Sequence, residues 1–333
     1  MSKQENTDVS PAETAPEAIY NDVREEVGRV LVGNDDAIEH LTISLLTGGH
    51  LLMEGVPGVA KTTIATAFAR ATGLDTTRIQ MTPDTVPADI IGTNVYRENT
   101  GEFELRRGPI FTNVVVADEI NRATPKTQSA LLEAMQERNV TIEGQTLPLP
   151  EPFLVVATQN PIEMEGVFEL PEAQRDRFQF KLEIDLPGTE IERELVDRFN
   201  EDPSLGPTTV EQTVTADSIA TAQSVVEDIY VAPSVKDYLV ELVEESRQHP
   251  NVEYGASPRA TLMFLQAMKA RAAIDGREYV IPDDLKALAP SILAHRLVLN
   301  TDAQLNAVST DTVVDELVAA VEPPGAETVT PSD

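Results

Sequence analysis

The residues richest in chemical potential are Gly55, Val56, Pro57, Gly58, Val59, Ala60, Lys61, Thr62 and Thr63, in the stretch "EGVPGVAKTT". A loop of the form G-x-x-x-x-G-K-[ST] turns its backbone N–H groups onto the α- and β-phosphates of a nucleotide. Its lysine neutralises the outer phosphate oxygens, and the hydroxyl that follows reaches Mg²⁺. Lys61 and Thr62 stand where that chemistry needs them, and Thr63 continues into a helix. Ala60 replaces the second glycine. A Cβ is harmless there if φ is negative, and a position at the entrance to a helix sets that expectation.

A phosphate cradle needs a further acid to hold the metal. The run "VVVADE" supplies two, with Asp118 placed to share Mg²⁺ with Thr62 and Glu119 to polarise an attacking water. A third apolar run, "VVATQNP", ends in Asn160, whose amide can orient that water against a γ-phosphate. Arg175 and Arg177 in "LPEAQRDRFQF", and Arg259 in "GASPRAT", are cations able to meet charge developing on a transferring phosphoryl group. Before Arg259, Ser257 caps a helix and Pro258 takes its first position, so the arginine lies where a helix N-terminus already favours anions. The four histidines, at 40, 50, 249 and 295, show no metal-ligand spacing. With no cysteine in the chain, thiolate sites and disulfides are excluded.

These residues sit at the ends of short apolar runs, "HLLMEG", "NVVVADE" and "PFLVVATQNP", with "FQFKLEI" as a fourth. Helical patterns alternate with them, which predicts an α/β fold with a mostly parallel, helix-covered sheet and ligands at the carboxyl ends of its strands. Two helices precede the first strand, parted at "VGND", where Gly33 can turn the chain and Asn34 or Asp35 can cap. "KTTIATAFARATG" is a helix closed by Gly73; "TPKTQSALLEAMQERN" is another, with Thr124 as cap and Pro125 at its first position. Two segments break the rhythm as inserted β-hairpins, one around Asn99-Thr100-Gly101 and one around Glu143-Gly144. Beyond Pro187 the strand signals vanish and five helical segments follow. The expected organisation is a disordered leader over 1–16, an α/β core over 17–187, a small all-helical domain over 188–320 and a disordered tail over 321–333.

The formal charge is −31, from 25 basic and 56 acidic residues. The two tails hold only −5 of it, so the folded body carries the rest, and lysine supplies just 7 of the basic residues. An acidic, lysine-poor body fits a high-salt cytoplasm, because at ~1 M salt the Debye length falls to about 3 Å and self-repulsion is screened. The same charge argues against binding a nucleic-acid backbone, which needs clustered lysine and arginine. No apolar run approaches the roughly 20 residues of a membrane span, and the N-terminus lacks a secretory apolar region. A cytoplasmic protein is expected.

In their order, "GVPGVAKT", "VVVADEINRATPKTQSALLEAMQE", "VVATQNP", "ELPEAQRDRF" and "GASPRAT" closely resemble the MoxR-type AAA+ ATPases, over about Glu17 to Leu299. The resemblance implies an AAA+ P-loop core followed by a helical lid, with ATP and Mg²⁺ as cofactors. The first hairpin then resembles the helix-2 insert and the second the hairpin before sensor 1. By the same resemblance Lys61 and Thr62 are Walker A, Asp118 and Glu119 Walker B, Asn160 sensor 1 and Arg259 sensor 2. Arg177 matches the arginine finger given in trans to a neighbour's ATP, and Val32 and Gly33 match the segment packing on adenine. Family members form hexameric homo-oligomeric rings that remodel protein clients, often beside von Willebrand factor A-domain proteins. Arg175 departs from the pattern, standing where such sequences carry an apolar residue, so two arginines compete for the finger. Arg122 is a further candidate interface residue. The rivals are a metal-chelatase motor subunit of the same architecture, a nucleotide-gated scaffold with negligible turnover, and a nucleic-acid motor, which the acidic body disfavours.

Overall fold

The four apolar runs are strands, and a fifth strand that no apolar run announces joins them. A computed structural model describes residues 14–99, 101–161 and 166–325. In chain order, α1 (Pro16–Gly28) and α2 (Asp35–Thr47) lead to β1 (Leu51–Glu54), and the glycine loop connects β1 to α3 (Lys61–Ala71). Next come β2 (Thr76–Gln80), the short α4 (Pro87–Ile91) and the hairpin of β3 (Gly92–Arg97) and β4 (Glu102–Arg107). β5 (Val114–Asp118) and α5 (Pro125–Glu137) precede the second hairpin, β6 (Asn139–Ile142) with β7 (Gln145–Pro148). β8 (Leu154–Gln159), the one-turn α6 (Glu172–Arg175) and β9 (Phe180–Glu183) complete the strand-bearing part.

The main sheet is parallel, in the order β2-β5-β8-β1-β9. Alternate residues of its strands face opposite ways. Leu51, Met53, Val114, Val116, Leu154 and Val156 join a core with α1–α3, while Leu52, Val115, Ala117, Val155 and Ala157 join a second core with α5 and Phe178. Burial on both faces is why these strands read as continuous apolar runs. The edge strand β2 is covered on one side only, with Ile79 alone buried, and so left no such run. In the second hairpin, Glu143 and Gly144 both take positive φ, 46° and 85°, as a two-residue type I′ turn requires. The first hairpin pairs Arg97 with Glu102 across its turn, and Thr100 lies outside the described residues.

The C-terminal part holds α7 (Thr189–Glu201), α8 (Ala216–Asp228), α9 (Pro233–Gln248), α10 (Pro258–Ile274), α11 (Pro282–Leu293), α12 (Thr301–Leu305) and α13 (Thr310–Ala320). It is not wholly helical: β10 (Val252–Tyr254) and β11 (Val298–Leu299) form a short antiparallel ladder tying the chain after α9 to the chain after α11. Nor is its apolar core closed. α1 and α2 pack on α8 and α10, and one continuous cluster runs from α3 through them into α11 and α13. The helical region is thereby joined to the sheet by buried surface. Among the described residues no helix is long and apolar enough to cross a membrane. The expected disordered leader falls mostly outside the described residues, which begin at Thr14, as does the tail beyond Gly325.

Candidate functional site

The strand order puts the carboxyl ends of β5, β8 and β1 side by side, and the chemistry-bearing residues follow them directly. Gly55 starts the loop pressed against the chain leaving β9. A Cβ there would lie 2.3 Å from the Ile184 carbonyl oxygen, so no larger residue fits. Lys61 opens α3 and donates to the carbonyls of Gly55 (2.5 Å) and Val56 (2.9 Å). Burial lowers the pKa of its ammonium, and the negative charges of Asp118, Glu119 and Glu54 oppose that shift.

The expectation for Ala60 is overturned. Its φ is 67° and its ψ 14°, the left-handed region. Ala60 is the N-cap of α3, and the chain must reverse there from the loop into the helix; a left-handed residue makes that turn. For an alanine this costs ~1–2 kcal/mol relative to a relaxed backbone. Its methyl group packs against the core beneath α3, which helps hold the strained conformation.

Asp118 is the most heavily bonded group in the site. It accepts from the hydroxyls of Thr158 (2.5 Å) and Thr62 (3.1 Å), and from Arg78 through Nε (3.0 Å) and Nη2 (2.5 Å). Burial alone would raise its carboxyl. The bonds from Thr158 and Arg78, the Arg78 charge and the Thr62 hydroxyl outweigh burial and hold it below the ordinary value, so it is an anion. Thr62 and Asp118 thus present hard oxygens to one point. Among the described residues no group of three or more histidines and carboxylates could hold a metal unaided. The pair suits Mg²⁺, which takes one or two protein oxygens and completes its shell with phosphate and water.

Glu119 has φ 56° and ψ 53°, a second strained residue. Such a backbone costs on the order of 1–3 kcal/mol and persists only where its surroundings enforce it. The enforcing contacts are visible. Its N–H donates to Thr158 Oγ1 (3.0 Å), and its carboxylate accepts from Gln80 Nε2 (2.7 Å) and Arg122 Nη1 (3.1 Å). Arg122, a candidate interface residue from the sequence, is engaged inside its own chain. Asn160 follows β8 between the other two strand ends, buried, with its carbonyl accepting from Asn121 Nδ2 at 3.4 Å.

One cavity of about 360 Å³ is lined by Pro57 to Thr63, Asp118, Glu119, Thr158, Gln159 and Asn160. A neighbouring cavity of about 350 Å³ shares Gly58, Val59 and Ala60 and adds Val32, Gly33, Ile184 and Ile191 of α7. At Gly33, φ is 73° and a Cβ would meet Ile191 Cδ1 at 2.5 Å, so glycine lets α7 close over this end. The three arginines separate. Arg175 lines a third, polar cavity of about 250 Å³ together with Glu54, Asn160 and Lys181 of the same chain. Arg177 and Arg259 line none of the three. Both are partly buried, and the side chain of neither makes a hydrogen bond or ion pair among the described residues. The cap before Arg259 forms as the sequence indicates, Ser257 Oγ accepting from the Ala260 N–H at 3.2 Å.

Three participants escaped sequence reasoning: Arg78, Gln80 and Thr158. The first two lie on β2, whose register sets Gln80 beside Asp118. The alternation in "TTRIQM" was the available signal for that strand. Thr158 lay within an identified strand, two residues before Asn160, but nothing local marks its hydroxyl as the bridge between both acids.

Residues 50–180 match the model of the ATPase family associated with various cellular activities (AAA), and residues 244–317 match the AAA lid domain. The chain is 45% identical to Chaperone MoxR1 of Mycobacterium tuberculosis, over 91% of this chain and 82% of that one. It is 44% identical to the uncharacterized protein YeaC of Bacillus subtilis, over 90% of this chain and 93% of the relative. Protein MoxR of Methylorubrum extorquens is 32% identical over 89% and 91% of the respective chains. A crystal structure of a candidate ATPase from Cytophaga hutchinsonii superposes with a TM-score of 0.86 at 39% identity, covering 94% of this chain and 98% of that one.

Proposed function

Since the chain belongs to the MoxR family of AAA+ ATPases, we propose that it hydrolyses Mg·ATP and converts the nucleotide cycle into remodelling of a protein client. The observation that carries this is the single cavity gathering Lys61, Thr62, Asp118, Glu119 and Asn160. The loop N–H groups and Lys61 take the phosphates, with the Lys61 ammonium exchanging the Gly55 and Val56 carbonyls for phosphate oxygens. Thr62 and Asp118 would hold Mg²⁺, which when bound neutralises charge on the β- and γ-phosphates. Glu119, fixed by Thr158, Gln80 and Arg122, takes a proton from the attacking water, and the Asn160 amide orients that water. Val32 and Gly33, which line the adjoining cavity, would flank the base.

The remaining charge on the transferring phosphoryl group needs a cation. Arg177 is assigned as the finger, acting in a neighbouring subunit of a ring, and Arg175 serves its own chain's site. Support for this division is that Arg175 shares a cavity with Asn160, whereas Arg177 lines none of the three cavities described above. A hexameric ring, a cytoplasmic location, Arg259 as sensor 2 and a von Willebrand factor A-domain partner belong to the same proposal. So does the division into an ATPase core over 17–187 and a lid over 188–320. The test is Glu119→Gln, assayed by phosphate release and nucleotide titration in about 2 M KCl, where surface repulsion is screened. Binding should stay within about three-fold while turnover falls roughly 10²-fold or more, the scale of a lost general base. Turnover at the parent rate would remove Glu119 from the mechanism.

A further inference from the structure

Arg296 follows α11 in the helical region, and its side chain is only 1% exposed. Most of its guanidinium bonds cross to the strand-bearing part of the molecule. Nε donates to the Asp176 carboxylate (2.9 Å), Nη2 to the carbonyls of Asp176 (3.3 Å) and Phe178 (2.6 Å), and Nη1 to the carbonyl of Gln179 (3.1 Å). Nη1 also donates to the Ile292 carbonyl of α11, and Nη2 lies 3.2 Å from Met263 Sδ of α10. His295, beside it, sets Nε2 at 3.3 Å from the same Phe178 carbonyl. Asp176 has a second tie to the helical region, accepting from Ser257 Oγ, the cap of α10, at 3.1 Å.

The residue enclosed by these bonds is Arg177. The carbonyls on both sides of it, those of Asp176 and Phe178, accept from one nitrogen of one guanidinium that belongs to the helical region. Its own side chain makes no hydrogen bond or ion pair among the described residues, so its placement is set by its backbone. A buried, charge-assisted network with several bonds is stiff, because breaking any member strands the others without solvent. The partner charge matters as well: burial draws the Arg296 guanidinium down to about 10, against the Asp176 carboxylate that holds it charged.

We propose that Arg296 is a positioning residue for Arg177, locking the backbone around it to the helical region so that this region and the arginine offered to a neighbour move as one body. The inference rests on Arg177 acting in trans, and the experiment separates the two. Subunits carrying Lys61→Ala keep their arginine but lose their own phosphate site; subunits carrying Arg177→Ala keep the site but lose the arginine. Mixed in about 2 M KCl, the two inactive variants should restore turnover; no restoration would overturn the trans reading, and this inference with it.

Given restoration, Arg296→Lys is then placed in one partner at a time. Lysine keeps the charge for Asp176 but cannot bond four carbonyls and a carboxylate from one planar group. In the Lys61→Ala partner it should cut restored turnover at least ten-fold without changing the KM for ATP. In the Arg177→Ala partner it should change turnover less than two-fold. A merely structural role predicts equal losses in both placements, and equal losses would refute the proposal. Asp176→Asn leaves the backbone acceptors in place, so it repeats the comparison if Arg296→Lys does not fold. The same asymmetry, at about three-fold, is expected, and symmetric losses would again refute.

Discussion

Thr158→Val replaces a side chain by one of the same shape and removes only a hydroxyl. That hydroxyl is fully buried, donates to Asp118 Oδ1 at 2.5 Å and accepts the Glu119 N–H at 3.0 Å. Losing a hydrogen bond to a charged carboxylate costs about 1.5–3 kcal/mol, and leaving a buried N–H unpaired costs about 1–3 kcal/mol. Valine recovers a fraction through its extra apolar contact, so a net loss of about 2–4 kcal/mol is expected. A domain holds roughly 5–15 kcal/mol, so the variant should fold but melt earlier. Glu119 loses the bond that pins its strained backbone, and turnover should fall at least about ten-fold, the equivalent of roughly 1.4 kcal/mol in the barrier. Urea titration followed by circular dichroism, with phosphate release at saturating Mg·ATP, measures both. Thr158→Ser restores the hydroxyl and should recover most of each. If valine is within about 0.5 kcal/mol of the parent, or serine is no better than valine, Thr158 does not organise the two acids.

At Ala60 the relief of a left-handed alanine, ~1–2 kcal/mol, is opposed by ~0.4–1 kcal/mol of added unfolded-chain freedom, so Ala60→Gly should raise stability by about 0–1.6 kcal/mol, less whatever the lost methyl contact removes. Ala60→Val places a β-branched residue at φ 67° and should cost clearly more; equal tolerance of the two would contradict the positive φ. Burial lowers His40 to about 4 and His50 to about 3, and His50 is fixed as a neutral ring by donating to Met135 O and accepting from the Val155 N–H. Their folded values lie below the unfolded value near 6.5, so their stabilisation is complete above it and lost as pH falls toward 4 and then 3. Between pH 7.5 and 4.5, on the order of 2–3 kcal/mol should go for each, read as a falling urea midpoint in molar salt, and a flat midpoint would rule this out. With a net charge of −31, dialysis from about 1 M to millimolar salt should expand the chain and lower its melting temperature. A melting curve that ignores salt would show that the surface charge is already balanced by other means.

What the sequence determined by itself is the chemistry that fits within a few consecutive residues. The phosphate-loop pattern of Gly55 to Thr62, the acids ending β5 and the amide following β8 are each local. Each follows a strand buried on both faces, so an apolar run marks its place. The hairpin turn at Glu143-Gly144 and the cap at Ser257 were legible for the same reason: a backbone conformation confined to two or three residues leaves a composition signature. Tertiary structure decided the rest. β2 is an edge strand with one buried residue, and only its register against β5 delivers Arg78 and Gln80 to the acids. The sign of φ at Ala60 depends on how sharply the loop must enter α3, which the loop's own residues do not state. Arg296 stands 120 positions from Asp176, and the two meet because α11 packs against β9. A side chain's local partners are set by the order of residues. Its distant partners exist only after burial has chosen which surfaces touch.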